Sequence, residues 1–259
     1  MINALQTREA FHLLFLRMFV RAVPLETFVL KGGSNLRFFF GSVRYSEDMD
    51  LDAGDIAVHA LADQVMGVLG SPALQAAMRL HGVREVVAPD LIRAKQTETV
   101  QRFKVHLLTT AGEDLFTKVE FSRRGLDTPH VAETVDTEVL GRYRMPPLIL
   151  PHYTAEAAAR QKFRALVGRP HPQARDVFDL WMLGPRLGVW RLGAGLEAED
   201  LSRARDRIFS IDFDEYRDAV VAYLGPQDQR AHESREVWDE IRLQVLSLIE
   251  RGADDDQEH

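Results

Sequence analysis

The sequence predicts an α+β protein: a domain built on a mixed sheet, followed by a helical domain. Three observations carry this reading. Residues 48–52 run Asp-Met-Asp-Leu-Asp, the period-two pattern of a strand with two chemically different faces. Further strand-like runs continue as far as Phe121. After Tyr153-Thr154 the chain reads as nearly all helix, and its character changes at Pro146-Pro147. The boundary is therefore placed near residue 150, giving domains 1–150 and 151–259.

The elements follow in order. An amphipathic helix is expected over Leu5 to Arg21, and a short apolar strand over Phe28 to Leu30. The strand meets Lys31-Gly32-Gly33-Ser34, where paired glycines permit a tight turn with unusual backbone angles. A short helix over Asn35 to Phe40 precedes the Asp48–Asp52 strand. Ile56 to Leu80 is helical in composition, broken near Gly70-Ser71-Pro72. Further strands are expected at Val83 to Val87, Leu91 to Thr97, Val100 to Leu108 and Leu115 to Phe121. In the second domain, helices are expected at Glu156 to Val167, Ala174 to Leu183, Glu197 to Ile208, Phe213 to Leu224 and Glu233 to Ile249.

Composition narrows the function classes. The chain has 259 residues, 46% hydrophobic and 27% charged, which suits one large or two modest soluble domains. It has no cysteine, so disulfides, thiolate zinc sites and a cysteine nucleophile are excluded. The first residues lack a signal-peptide layout, since Arg17 and Arg21 interrupt the apolar run. No stretch reaches the roughly 18 apolar residues of a membrane span. A cytoplasmic protein without a membrane partner is expected. The net charge of -7 does not suggest bulk attraction to nucleic acid. An RNA would need a local patch, and Arg93, Lys95, Arg102, Lys104 and His106 are either that patch or a solvated strand face.

The chemistry is concentrated in residues 30–52, LKGGSNLRFFFGSVRYSEDMDLD. Nucleotidyl transfer is a displacement at phosphorus, whose charge magnesium ions can stabilise through carboxylate and phosphate oxygens. Two aspartates one residue apart on a strand point to one face, so Asp48 and Asp50 can serve one metal centre. A glycine turn at Gly32-Gly33 brings backbone N–H groups and the Ser34 hydroxyl towards a triphosphate. The alternation Lys118, Glu120, Ser122 makes Glu120 the candidate third metal carboxylate, an ordinary exposed strand glutamate being the alternative. Each motif alone is common, and their order and spacing give the signal.

The segment KGGSNL…RYSEDMDLD resembles the AbiEii/AbiGii family of toxins, which includes the mycobacterial MenT group, within the DNA polymerase β-like nucleotidyltransferases. Lys31 to Leu36 match the family's first motif, and Arg44, Ser46, Asp48, Met49 and Asp50 its second; Met49 stands where Leu or Ile is usual. A later block, AARQKFRALVGRPHPQARDVFDLWML at residues 158–183, resembles the family's KLxALxxR and RDxxDL motifs, with Phe163 in place of Leu. Lys162, Leu166 and Arg169 are spaced i, i+4 and i+7, on one helical face. Asp176 and Asp179 share a face as well. A structural ion-pair network is the alternative for these charges.

The resemblance implies a polymerase β-like catalytic domain, and a C-terminal helical domain that completes the nucleotide site. It implies that Asp48, Asp50 and Glu120 hold Mg2+, with Mn2+ able to substitute. Lys31, Gly32, Gly33 and Ser34 would bind the NTP, with Lys162 and Arg169 neutralising the triphosphate. Asp176 would orient Lys162 or contact the nucleotide. The implied activity transfers NMP from an NTP to an acceptor, the 3′ end of tRNA in some members, with a cognate antitoxin encoded nearby. Ser46, two residues before Asp48, would make a phosphorylation switch or a turn cap. Rival readings are a small-molecule nucleotidyltransferase of the aminoglycoside type and a nucleotide-binding regulatory module.

Overall fold

The computed structural model describes residues 2–91, 96–123, 125–187 and 198–254. It divides into two compact units, one of Met1–Phe39 with Tyr45–Tyr153, the other of Phe40–Arg44 with Thr154–His259.

The first unit opens with α1 (Ala4–Ala22), started by a reciprocal capping box between Asn3 and Gln6 that satisfies two N-terminal N–H groups. Its buried face carries Phe11, Phe15 and Phe19. Phe19 packs 5.1 Å from Phe28 and 5.5 Å from Phe121, centroid to centroid. The unit continues through β1 (Phe28–Lys31), α2 (Gly32–Phe39), β2 (Met49–Ala53), α3 (Val58–Leu69) and α4 (Pro72–Arg79). Ser71 caps α4 by accepting from the Leu74 N–H, and Pro72 stands in the first turn, where its missing N–H costs nothing. Then come β3 (Val83–Val87), β4 (Val100–Thr109), β5 (Asp114–Ser122), β6 (His130–Thr134), α5 (Thr137–Arg142) and β7 (Ile149–Tyr153).

Among the described residues these strands form one seven-stranded sheet, in the order β3-β4-β5-β2-β1-β7-β6. β2 is antiparallel to β1 and parallel to β5, and this register sets Asp50 beside both Lys31 and Glu120. Along β4 and β5 burial alternates residue by residue. Phe103, Val105, Val119 and Phe121 face the core, and Arg102, Lys104, Lys118 and Glu120 stand on the opposite face.

The second unit is helical: α6 (Ala155–Gly168), α7 (Ala174–Leu183), α8 (Ala198–Ser210), α9 (Phe213–Ala219), α10 (Pro226–His232) and α11 (Arg235–Asp254). Phe178, Tyr216 and Trp238 are buried, with Tyr216 stacked on Trp238 at 4.4 Å.

The sheet-before-helix order agrees with the sequence reading, and several details do not. The glycine turn is a direct strand-to-helix junction, because α2 starts at Gly32 rather than Asn35. β2 begins at Met49, so Asp48 lies just before the strand. β6, α5, β7 and α10 were not expected. β7 carries Pro151, which lacks a ladder donor, and its LeuIleLeuPro stretch beside Pro146-Pro147 reads as a linker. The helix expected over Phe213 to Leu224 stops at Ala219 and tightens to a 3-10 turn at Val221–Tyr223. The strand expected at Leu91 to Thr97 lies largely outside the described residues, and Gln96 makes only an isolated bridge to Gln101.

Candidate active site

The first cluster begins where β1 turns into α2. Gly32 adopts φ +68, a left-handed conformation open to glycine at little cost. A β-carbon built there would lie 2.9 Å from Asp50 Oδ2. The glycine therefore lets the Asp50 carboxylate come close to the first turn of α2. Unpaired N–H groups and the positive end of the helix dipole favour anions at such a turn. Ser34 is buried, and its hydroxyl donates to the Asp48 carbonyl at 3.3 Å. The Ser46 hydroxyl donates to the same carbonyl at 2.7 Å. Both serines thus fix the backbone at Asp48.

The pairing of β2 with β5 sets Asp50 opposite Glu120. Lys118, two residues before Glu120 on the same strand face, reaches both sides of this cluster. Its Nζ lies 3.1 Å from Asp48 Oδ2 and 3.5 Å from Glu120 Oε2. Arg102, opposite Glu120 on β4, donates to Glu120 Oε2 at 2.6 Å. Burial pushes the Asp50 carboxyl above the usual range; the neighbouring Lys118 and Lys31 oppose this, and Glu120 and Asp48 add to it. Burial also weakens the Lys118 ammonium, but the hydrogen bond to Asp48 and the charges of Asp48, Glu120 and Asp50 outweigh it and hold its pKa up. For Glu120 burial acts upward, and Arg102 and Lys118 together hold the carboxyl below the usual range.

Lys31 does not point its charge into open solvent. Its Nζ lies 2.5 Å from Asp52 Oδ1, and the Tyr153 hydroxyl donates to Asp52 Oδ2 at 2.5 Å. Burial and the Asp52 charge push the Tyr153 phenol well above its ordinary value, so it acts as a fixed donor. The third aspartate of the Asp-x-Asp-x-Asp run thereby ties β1, β2 and β7 together behind Asp50.

Asp48, Asp50 and Glu120 are hard oxygen donors of the kind magnesium takes, and Lys118 shows that a cation seats against two of them. Lys118 engages an oxygen of Asp48 and one of Glu120, and Arg102 engages Glu120. Among the described residues no group of three or more His, Cys, Asp or Glu side chains is gathered as a metal-binding set. The donor chemistry fits a divalent cation, with a lysine ammonium in its stead.

The second cluster lies wholly within the helical unit. Asp176 and Asp179, both on α7, are 0% exposed, and buried carboxylates need partners. Arg44 Nη2 donates to both oxygens of Asp179 at 3.0 Å. Lys162 Nζ lies 2.6 Å from Asp179 Oδ2 and 3.5 Å from Asp176 Oδ1. Arg169 donates to Asp176 Oδ2, and to Gln173 Oε1 at 2.6 Å. Burial pushes Asp179 upward, and Arg44 and then Lys162 overcome it, so its carboxyl sits below the usual range. Arg169 is not on the helical face that spacing suggested. It is the C-cap of α6, in extended conformation, and its side chain turns back to Asp176.

The family model for the nucleotidyl transferase AbiEii toxin of type IV toxin–antitoxin systems matches residues 14–252. The chain belongs to the AbiEii family. It is accordingly a nucleotidyltransferase toxin by family. Three solved structures share the fold. JHP933 from Helicobacter pylori is 19% identical, with a TM-score of 0.58 over 100% of this chain and 95% of that one. A putative nucleotidyltransferase from H. pylori is 21% identical, TM-score 0.55, covering 95% of each chain. The nucleotidyltransferase toxin MenT4 from Mycobacterium tuberculosis is 18% identical, TM-score 0.57, covering 98% of this chain and 90% of that one. No curated protein matches the sequence. Among the described residues no helix of this AbiEii protein is long and apolar enough to cross a membrane.

Sequence reasoning missed three groups in this AbiEii chain. Lys118 was seen only as part of an alternation; its place among the carboxylates follows from the β2–β5 register. Arg44 and Asp179 each fall in a sequence motif, but no local pattern pairs the two. Tyr153 gave no signal, because β7 itself was not expected. Of the basic residues noted on β4 and before it, Arg93 and Lys95 lie outside the described residues. Arg102 pairs with Glu120, and His106 Nδ1 lies 3.0 Å from Asp114. Lys104 is exposed and sits opposite Lys118 in the strand register.

Proposed function

We propose that this AbiEii protein transfers a nucleoside monophosphate from an NTP to the 3′ end of a tRNA, using Asp48, Asp50 and Glu120 to hold Mg2+ or Mn2+. The observation that carries the reading is Asp50: a partly buried carboxylate beside Glu120, pressed against the glycine start of α2. A bound divalent cation would supply positive charge to the reacting phosphoryl group. The protein's own part is positioning. Ser34 and Ser46 hold the backbone at Asp48. Lys31 and Tyr153 hold Asp52, and with it the strand that carries Asp50. Gly32 makes room for the Asp50 carboxylate at the first turn of α2, and the N–H groups of Gly32 and Gly33 are assigned to the phosphate oxygens. Lys162 and Arg169, set over buried Asp176, are assigned the neutralising of phosphate charge. The tRNA acceptor and a neighbouring antitoxin rest on family membership.

The test is transfer of label from each of the four NTPs onto total tRNA, onto a panel of aminoglycosides and onto the protein itself. Asp48→Ala and Asp50→Ala should abolish transfer to tRNA while circular dichroism stays unchanged. Near-normal transfer in either variant refutes the assignment of these carboxylates. Label on an aminoglycoside and none on tRNA refutes the acceptor.

A further inference from the structure

Lys118 bridges two carboxylates that the proposed function gives to a metal. Three acidic side chains sit at the end of one strand pair: Asp48 and Asp50 at the start of β2, Glu120 opposite Asp50 on β5. Like charges so close repel strongly where water is partly excluded. Arg102 pairs with Glu120. Lys118 touches both Asp48 and Glu120, so it stands between the two strands rather than beside one residue.

Two further features bear on why a lysine is there. Lys104 stands directly opposite Lys118 on β4 and is exposed. Like charges opposite one another across a ladder are unfavourable, which biases the Lys118 ammonium away from β4 and towards β2. The Lys118 side chain is also 26% exposed, so it has a way out to solvent. A four-carbon stem carrying a compact charge can swing without moving its strand, whereas a guanidinium fork is held by its planar geometry.

We propose that Lys118 is a positioning residue, a tethered placeholder cation that holds the Asp48, Asp50 and Glu120 carboxylates together until a divalent metal displaces it. This rests on the metal reading above. The ammonium neutralises the cluster in the absence of metal. When displaced, it remains within a side chain's length of the site, free to meet an incoming anion. Metal affinity is therefore set by a competition between the ion and a residue of the same chain.

The experiment is Mn2+ binding to the full chain without nucleotide, followed by electron paramagnetic resonance. Lys118→Met should bind Mn2+ roughly tenfold more tightly than the unaltered protein, the scale of removing one close competing charge. Lys118→Arg, whose fork does not swing aside, should bind Mn2+ more weakly than the unaltered protein, and Asp50→Asn should lose binding. Unchanged or weaker binding in Lys118→Met, with loss in Asp50→Asn, overturns the placeholder and leaves the metal reading standing. No Mn2+ binding by the unaltered chain or Lys118→Met, with or without NTP, overturns both. A second measurement needs no variant. Mg2+ alone should raise the rate at which a pulse of acetic anhydride acylates Lys118, read by peptide mapping. A rate that is unchanged or lowered counts against the proposal even if Lys118→Met does not fold.

Discussion

Arg44 and Asp179 lie 135 residues apart in sequence and form a two-pronged ion pair at 3.0 Å, with side chains 7% and 0% exposed. One comes from the RYSED stretch and the other from α7, and both belong to the helical unit. Removing one partner of a buried pair leaves an uncompensated charge. Asp179→Asn should therefore destabilise the protein by about 3–5 kcal/mol. Arg44→Met should cost somewhat less, because Lys162 still neutralises Asp179. In a urea-denaturation double-mutant cycle the two losses should be far from additive. Additive losses would show that the two residues stabilise the unit independently.

Gly32 controls how near the chain comes to Asp50. Gly32→Ala carries a left-handed-backbone cost of about 1–2 kcal/mol and pushes its methyl into Asp50 Oδ2. Transfer activity should fall by on the order of 100-fold or more, the scale of losing a preorganised charge stabiliser. Gly112→Ala is the control. It has φ +89 and nothing within 4 Å of the built β-carbon, so it should lower the melting temperature similarly and keep activity. Equal activity losses in the two variants would rule out a specific role for Gly32.

Ser46 remains the candidate regulatory phosphosite. Its hydroxyl shares the Asp48 carbonyl with Ser34, so Ser46→Ala should keep most activity, Ser34 still holding that carbonyl. A phosphate would add roughly -1.5 to -2 charges beside the carboxylates, repelling NTP. Ser46→Glu should be nearly inactive. Equal, modest losses in both variants, with no phosphate found on Ser46 by mass spectrometry after co-expression with the antitoxin, would leave only the turn-capping role.

His12 gives the fold an acid-sensitive element. Its Nε2 lies 2.8 Å from Thr117 Oγ1, and Thr117 donates to the Glu47 carbonyl at 2.8 Å. The hydroxyl proton is thus committed, and His12 Nε2–H must donate. Burial, with a smaller push from Arg8, lowers the His12 pKa to about 3. An unfolded histidine titrates near 6.5. Between those values the unfolded chain binds a proton that the folded chain does not, so stability is full above about pH 6.5 and falls as pH drops. The slope from this group approaches roughly 1.4 kcal/mol per pH unit. His12→Gln keeps a donor without the titration, and its urea stability should fall less steeply from pH 6 to 4. An identical slope in the variant would assign the acid sensitivity elsewhere.

By itself the sequence determined the order of architecture, a sheet domain and then helices, because periodicity and proline placement are local. It determined the candidate chemistry too. KGGS before Asp48-x-Asp50, and Lys162 before Arg175-Asp176, are short-range patterns whose residue types say what they can bind. The tertiary structure alone decided which charges meet. Glu120 stands beside Asp50 through the parallel register of β2 and β5, and parallel pairing joins strands distant in sequence. Lys118 lies among carboxylates for the same reason. Arg44 reaches Asp179, and Tyr153 reaches Asp52, because a buried charge or hydroxyl without a partner is costly and packing has brought one within reach. No local pattern encodes those partners. The contact of the Ser34 hydroxyl with the Asp48 carbonyl is likewise a product of packing.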